Sequence, residues 1–99
     1  MKTYEEFLDT IKQSTPPKEL STHLLALWYD ANNDWDNAHK YVDGPTDPTS
    51  HWIHAYLHRK EGDMANADYW YKRADRDRPD ISLDEEWALI AKKLISLTR

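Results

Sequence analysis

Three histidines, His51, His54 and His58, recur at i, i+3 and i+7, and Glu61 follows three residues later. On an α-helix that spacing puts four potential ligands on one stripe. Imidazole and carboxylate together suit zinc, iron, nickel or manganese, and histidines at i and i+4 can share one ion. Asp36 and His39 stand one turn apart in a segment that should pack alongside, so His39, His54, His58, Asp36 and Glu61 form a candidate pocket. The pocket has three readings. One is a divalent metal site. Another is a proton-transfer or anion site, with His58 and Arg59 or Arg73 holding a carboxylate or phosphate. The simplest is a structural network, in which the imidazoles bond to Asp36, Glu61 or tyrosine hydroxyls and fix helix register.

Further along, Asn66, Tyr69 and Arg73 share one helical face, opposite the apolar stripe Met64, Ala67, Tyr71 and Ala74, with Trp70 between the two. Such a rim could hold a peptide or a small acid by stacking and a bidentate guanidinium, or be an ordinary exposed i, i+4 pair. The carboxylates are poorly arranged for acid–base work. Glu5-Glu6, Asp34-x-Asp36 and Asp84-Glu85-Glu86 all fall in expected first turns, where they complement the helix dipole. No phosphate-binding glycine loop, nucleophile elbow or calcium loop occurs.

Ninety-nine residues make one small domain. The formal charge of −5, with 4 basic and 9 acidic residues in the first fifty positions, argues against nucleic acid. The absence of cysteine excludes disulfides and thiolate chemistry. Acids near the N-terminus and the lack of a long apolar run predict no signal peptide and no membrane span, hence a cytoplasmic protein.

The elements that must position these residues are all helical. Thr3 and Glu6 form a capping-box pattern that opens a first helix, closed by Thr15-Pro16-Pro17. A second helix is expected over about 18–32, and a third from the Asp34 cap to Val42. Asp47-Pro48 opens a fourth that runs to Glu61. A fifth spans 64 to about 75, and Ser82-x-x-Glu85 caps a sixth with the stripe Leu83, Trp87, Ile90, Leu94 and Leu97.

The middle of the chain is duplicated. Ala26, Asp34, Asn37 and Ala38 align with Ala55, Asp63, Asn66 and Ala67 at an offset of 29. Thr22-x2-Leu25-Ala26-x2-Tyr29 with Ala38-x3-Val42, and His51-x2-His54-Ala55-x2-His58 with Ala67-x3-Tyr71 and Pro79, resemble tetratricopeptide repeats. The resemblance implies an all-α, right-handed stack of antiparallel helix pairs: residues 18–45 and 47–79 as repeats, 1–17 and 81–99 as caps. It places His51, His54 and His58 where packing residues normally point inward. It also implies a groove for a protein or peptide partner, lined by His23, Leu27 and Asp30 and then by Trp52, Tyr56 and Arg59, to which the separately read face of Asn66, Tyr69 and Arg73 adds candidate partner-binding residues. This gives a non-enzymatic binding module without a cofactor; the competing reading is a small-ligand or metal-dependent protein built on the histidines. The string from His54 to Asp63, with Asn66-Ala67-x-Tyr69-Trp70-Tyr71, resembles a group of small bacterial proteins with no established activity, so it carries no function over.

Overall fold

A computed structural model describes residues 3–97, the side chain of Leu97 excepted. Among these residues every regular element is a helix: α1 Tyr4–Ile11, α2 Thr22–Ala31, α3 Trp35–Val42, α4 Pro48–Lys60, α5 Met64–Arg73 and α6 Leu83–Leu97.

The helices begin where a side chain can take an orphan backbone N–H. Thr3, Ser21, Asp34, Asp47 and Asp63 each accept from the residue three positions on. Ser82 and Glu85 complete a reciprocal capping box, each side chain accepting the other's backbone N–H at 3.0 Å. The second helix starts four residues later than its apolar pattern predicts. Ser21 caps Leu24, and Leu20 closes a turn onto Pro17 instead of joining the helix.

Three helices stop the same way. Asn33, Gly62 and Asp75 adopt positive φ, and the N–H of the residue after each reaches back to Tyr29, His58 and Tyr71. This is the Schellman arrangement. It ends α5 at Arg73, short of the expected Asp75. Asn33 and Gly62 are 29 positions apart, so the duplicated segments also share one hairpin turn.

The two hairpins, α2/α3 and α4/α5, meet through α3 and α4, while α6 packs on α2 and α4, and α1 on α6. Ala26, Ala38, Ala55 and Ala67 are fully buried, as close helix approach requires. Every residue from Ser50 to His58 is buried, so α4 is the central helix. Indole N–H groups tie the layers together: Trp28 donates to the Thr10 carbonyl, Trp35 to Leu57 and Trp87 to Leu27. The Trp87 ring also stacks on Phe7 at 5.8 Å.

Candidate functional site

The inward turn of the α4 stripe brings two imidazoles, His54 and His58, together with His39 from α3. One ring nitrogen from each of His39, His54 and His58 lies within 4.8 Å of the other two. His39 Nε2 and His54 Nε2 are 3.0 Å apart. Zinc–imidazole bonds of 2.0–2.1 Å in a tetrahedron set ligand nitrogens about 3.3 Å apart, so a small spread of these rings admits an ion. In the metal-free protein one of the two nitrogens must hold a proton for the other to accept.

The tautomer of His58 is fixed from both sides. Its Nδ1 lies 2.6 Å from Glu61 and donates to that carboxylate; Asn66 Nδ2, 3.4 Å from Nε2, fits Nε2 as the acceptor. Glu61 also groups with His58 and Asp63, one potential ligand atom from each lying within 4.8 Å of the others. Bonded to Nδ1, Glu61 orients the ring, the usual part of a carboxylate behind a ligating histidine. Two indoles hold the rings in place: Trp35 stacks on His39 at 4.8 Å and Trp70 on His54 at 4.0 Å.

His54 is the least satisfied member. Its ring is buried and its Nδ1 has no hydrogen-bond partner. Burial disfavours the imidazolium, the neighbouring His39 and His58 add to that, and the ring is held at about 4, well below the usual 6.5.

One expected member of the pocket is placed elsewhere. Asp36 is exposed on the outer side of α3, away from the triad. His51 belongs to the stripe but turns to the other hairpin arm, its Nδ1 3.3 Å from the Arg73 carbonyl. The carboxylate that does approach is Asp43, the C-cap of α3, whose Oδ1 lies 4.0 Å from both His39 Nε2 and His54 Nε2. Because Asp43 lies in the Asp43-Gly44-Pro45 break, helical periodicity offers no sign of where it points.

The expected partner groove does not stand open. Trp52 and Tyr56 are buried beneath neighbouring helices, and Arg59 is mostly covered. Their polar atoms are consumed by two acids. Glu86 of α6, completely buried, accepts from Trp52 Nε1 at 3.1 Å, Arg59 Nη1 at 2.8 Å and the Tyr71 hydroxyl at 2.7 and 2.8 Å. Arg59 also donates to the Ile81 carbonyl. Asp30 of α2, equally hidden, accepts from the Tyr56 hydroxyl at 2.8 Å and Lys60 Nζ at 2.9 Å. Burial and these acids push both tyrosine hydroxyls up, so they remain donors. Glu86 is thus not a first-turn charge facing solvent. Its position three after Leu83 and four before Ile90, on the apolar stripe, was the available signal.

Of the rim residues, Asn66 supplies the N–H capped by Asp63, and Tyr69 is exposed with Arg73 donating to its hydroxyl at 3.3 Å. Arg73 also lies 5.5 Å from the Trp70 ring centroid.

A second cluster has the composition of a catalytic triad but not its wiring. His23 Nε2 contacts both Asp47 Oδ2 at 2.8 Å and Ser50 Oγ at 3.1 Å, and Ser50 donates its hydroxyl to Asp47 Oδ1 at 2.7 Å. A triad needs the acid on one ring nitrogen and the serine on the other, with the serine reachable. Here both use one nitrogen, and Ser50 is buried. The cluster is the cap of α4. Partial burial pushes the Asp47 carboxyl up, but bonds from the Ser50 hydroxyl and N–H and the charge of His23 outweigh it and hold the group at about 2. A depressed carboxylate stabilises the fold above its unfolded value of 3.8, and that contribution is lost as pH falls toward 2. Wild type should therefore lose more stability than Asp47→Asn between pH 4 and 2 in urea denaturation; parallel acid limbs would rule out this role.

No protein-family model, curated protein or solved structure matches this chain. Among the described residues no helix is long and apolar enough to cross a membrane.

Proposed function

We propose that the protein binds a divalent transition-metal ion through His39, His54 and His58, with Asp43 supplying or shielding the fourth position. The observation that carries this is the convergence of three imidazole nitrogens from two helices within 4.8 Å, with His39 Nε2 and His54 Nε2 at 3.0 Å. An all-imidazole set with one carboxylate favours zinc, nickel, copper or iron over magnesium or calcium.

Metal binding is favoured over the peptide groove because Trp52, Tyr56 and Arg59 already serve Glu86 and Asp30. It is also favoured over turnover at the histidines. The cavity of about 400 Å³ that includes Tyr56 and Lys60 opens from the opposite face of α4. The tetratricopeptide-like reading of the two hairpins is supported by their shared turn and alanine positions, and the absence of cysteine is consistent with a cytoplasmic protein.

Tag-free protein purified without chelator should carry near-stoichiometric metal by mass spectrometry. Zinc at one hundred times its Kd should stabilise the fold by about 2.7 kcal/mol, a rise in Tm of roughly 10–20 °C. His54→Ala should abolish both effects, and His51→Ala, outside the triad, should keep them. No calorimetric binding, or equal binding by His54→Ala, would refute the site.

A further inference from the structure

On the other side of the molecule, two cations converge on one indole. The Arg76 guanidinium lies 3.5 Å from the Trp52 ring centroid, and Lys93 Nζ, arriving from α6, lies 5.8 Å from it. Both side chains line a cavity of about 200 Å³ together with Thr49, Ala74 and Leu94. No carboxylate lines this cavity. Neither cation forms an ion pair among the described residues, although the chain carries 18 acids against 13 bases. Arg76 also borders two neighbouring hollows, one with Lys72, Asp75 and Asp77 and one with Asp68 and Asp77, but none of these acids lies within ion-pair distance of its guanidinium.

The geometry of the arginine matters more than its charge. A guanidinium held against an aromatic ring has its orientation fixed while its N–H donors remain in the plane, directed outward. That is the preorganised fork that two oxygens of a phosphate or carboxylate fit. The second cation sets the preference between these anions, since a phosphate monoester carries about −1.5 to −2 at pH 7 and a carboxylate one charge. Trp52 cannot rotate away, because its Nε1 is bonded to buried Glu86. The platform under Arg76 is therefore rigid.

We propose that this cavity binds the phosphate group of a small phosphate monoester, with Arg76 gripping two oxygens and Lys93 supplying the second charge. Calorimetric titration of the metal-free chain with inorganic phosphate, against sodium chloride at matched ionic strength, tests it directly. One phosphate should bind per chain, with acetate at least about fivefold weaker. Arg76→Lys keeps the charge but loses the fork, and should weaken phosphate at least about tenfold. Lys93→Ala should weaken it severalfold, and His54→Ala, on the far side of α4, should leave it unchanged. Lys93 is exposed and Arg76 half-buried, and a thermal melt near that of wild type verifies that each variant is folded. Phosphate indistinguishable from matched chloride, acetate binding equally well, or Arg76→Lys binding as wild type would each overturn the assignment.

Discussion

Replacing Glu86 with alanine is expected to cost about 3–5 kcal/mol, the range seen when one partner of a buried ion pair is removed. The carboxylate joins three helices, taking Trp52 and Arg59 from α4 and Tyr71 from α5 onto α6. Its loss strands three buried donors at once, and the Arg59 charge has little access to water. In a domain whose total stability is about 5–15 kcal/mol, this takes the protein close to unfolding at 25 °C. Glu86→Gln, which keeps the shape and part of the bonding, should fall between alanine and wild type. Asp84→Ala, on the exposed side of the same turn, should stay within about 0.5 kcal/mol. Urea denaturation measures all three, and a loss below about 1 kcal/mol for Glu86→Ala would mean that the network is not holding α6 in place.

The second large effect is a pH dependence of the metal-free protein. His54 is held at about 4 by burial and by the charges of His39, His58 and His51, with only Asp43 opposing. The unfolded chain takes up this proton near 6.5 and the folded one near 4, so in that window the unfolded state binds more protons. Stability is therefore expected to fall as pH drops from about 6.5 to about 4, by about 3 kcal/mol in all, and to level off below. His54→Leu should remove this slope and be neutral or stabilising at pH 7, since it deletes a buried nitrogen without a partner. Parallel losses in wild type and His54→Leu would show that the ring is not kept neutral by the core. Metal should flatten the same limb while the site stays loaded, because proton and ion compete for one lone pair.

The fold was legible because its boundaries are written in short-range chemistry. Caps at Thr3, Asp34, Asp47, Asp63 and Ser82 and the turns at Asn33 and Gly62 lie within a few residues of the backbone groups they serve. The start of α2 was misplaced because Leu20 fits the apolar stripe while Ser21 wins the backbone. Half of the site was legible for the same reason: His54 and His58 follow from one helix's period, and His39 from its packing neighbour. Asp43 was not, because its direction depends on how α3 ends. Glu86 was missed, and Asp30 was expected to line an open groove, because charge is read as exposure. Each lies on a stripe that buries it, and only the meeting of α6, α4 and α2 in space reveals the donors that make burial tolerable.

The central claim, that an ion sits among His39, His54 and His58, is tested most directly by X-ray absorption at the zinc edge on the zinc-loaded chain. The structure predicts three imidazole nitrogens at about 2.0–2.1 Å with one oxygen completing the shell, and loss of one imidazole in His39→Ala. A shell of oxygens alone, or imidazole scattering unchanged in that variant, would contradict it.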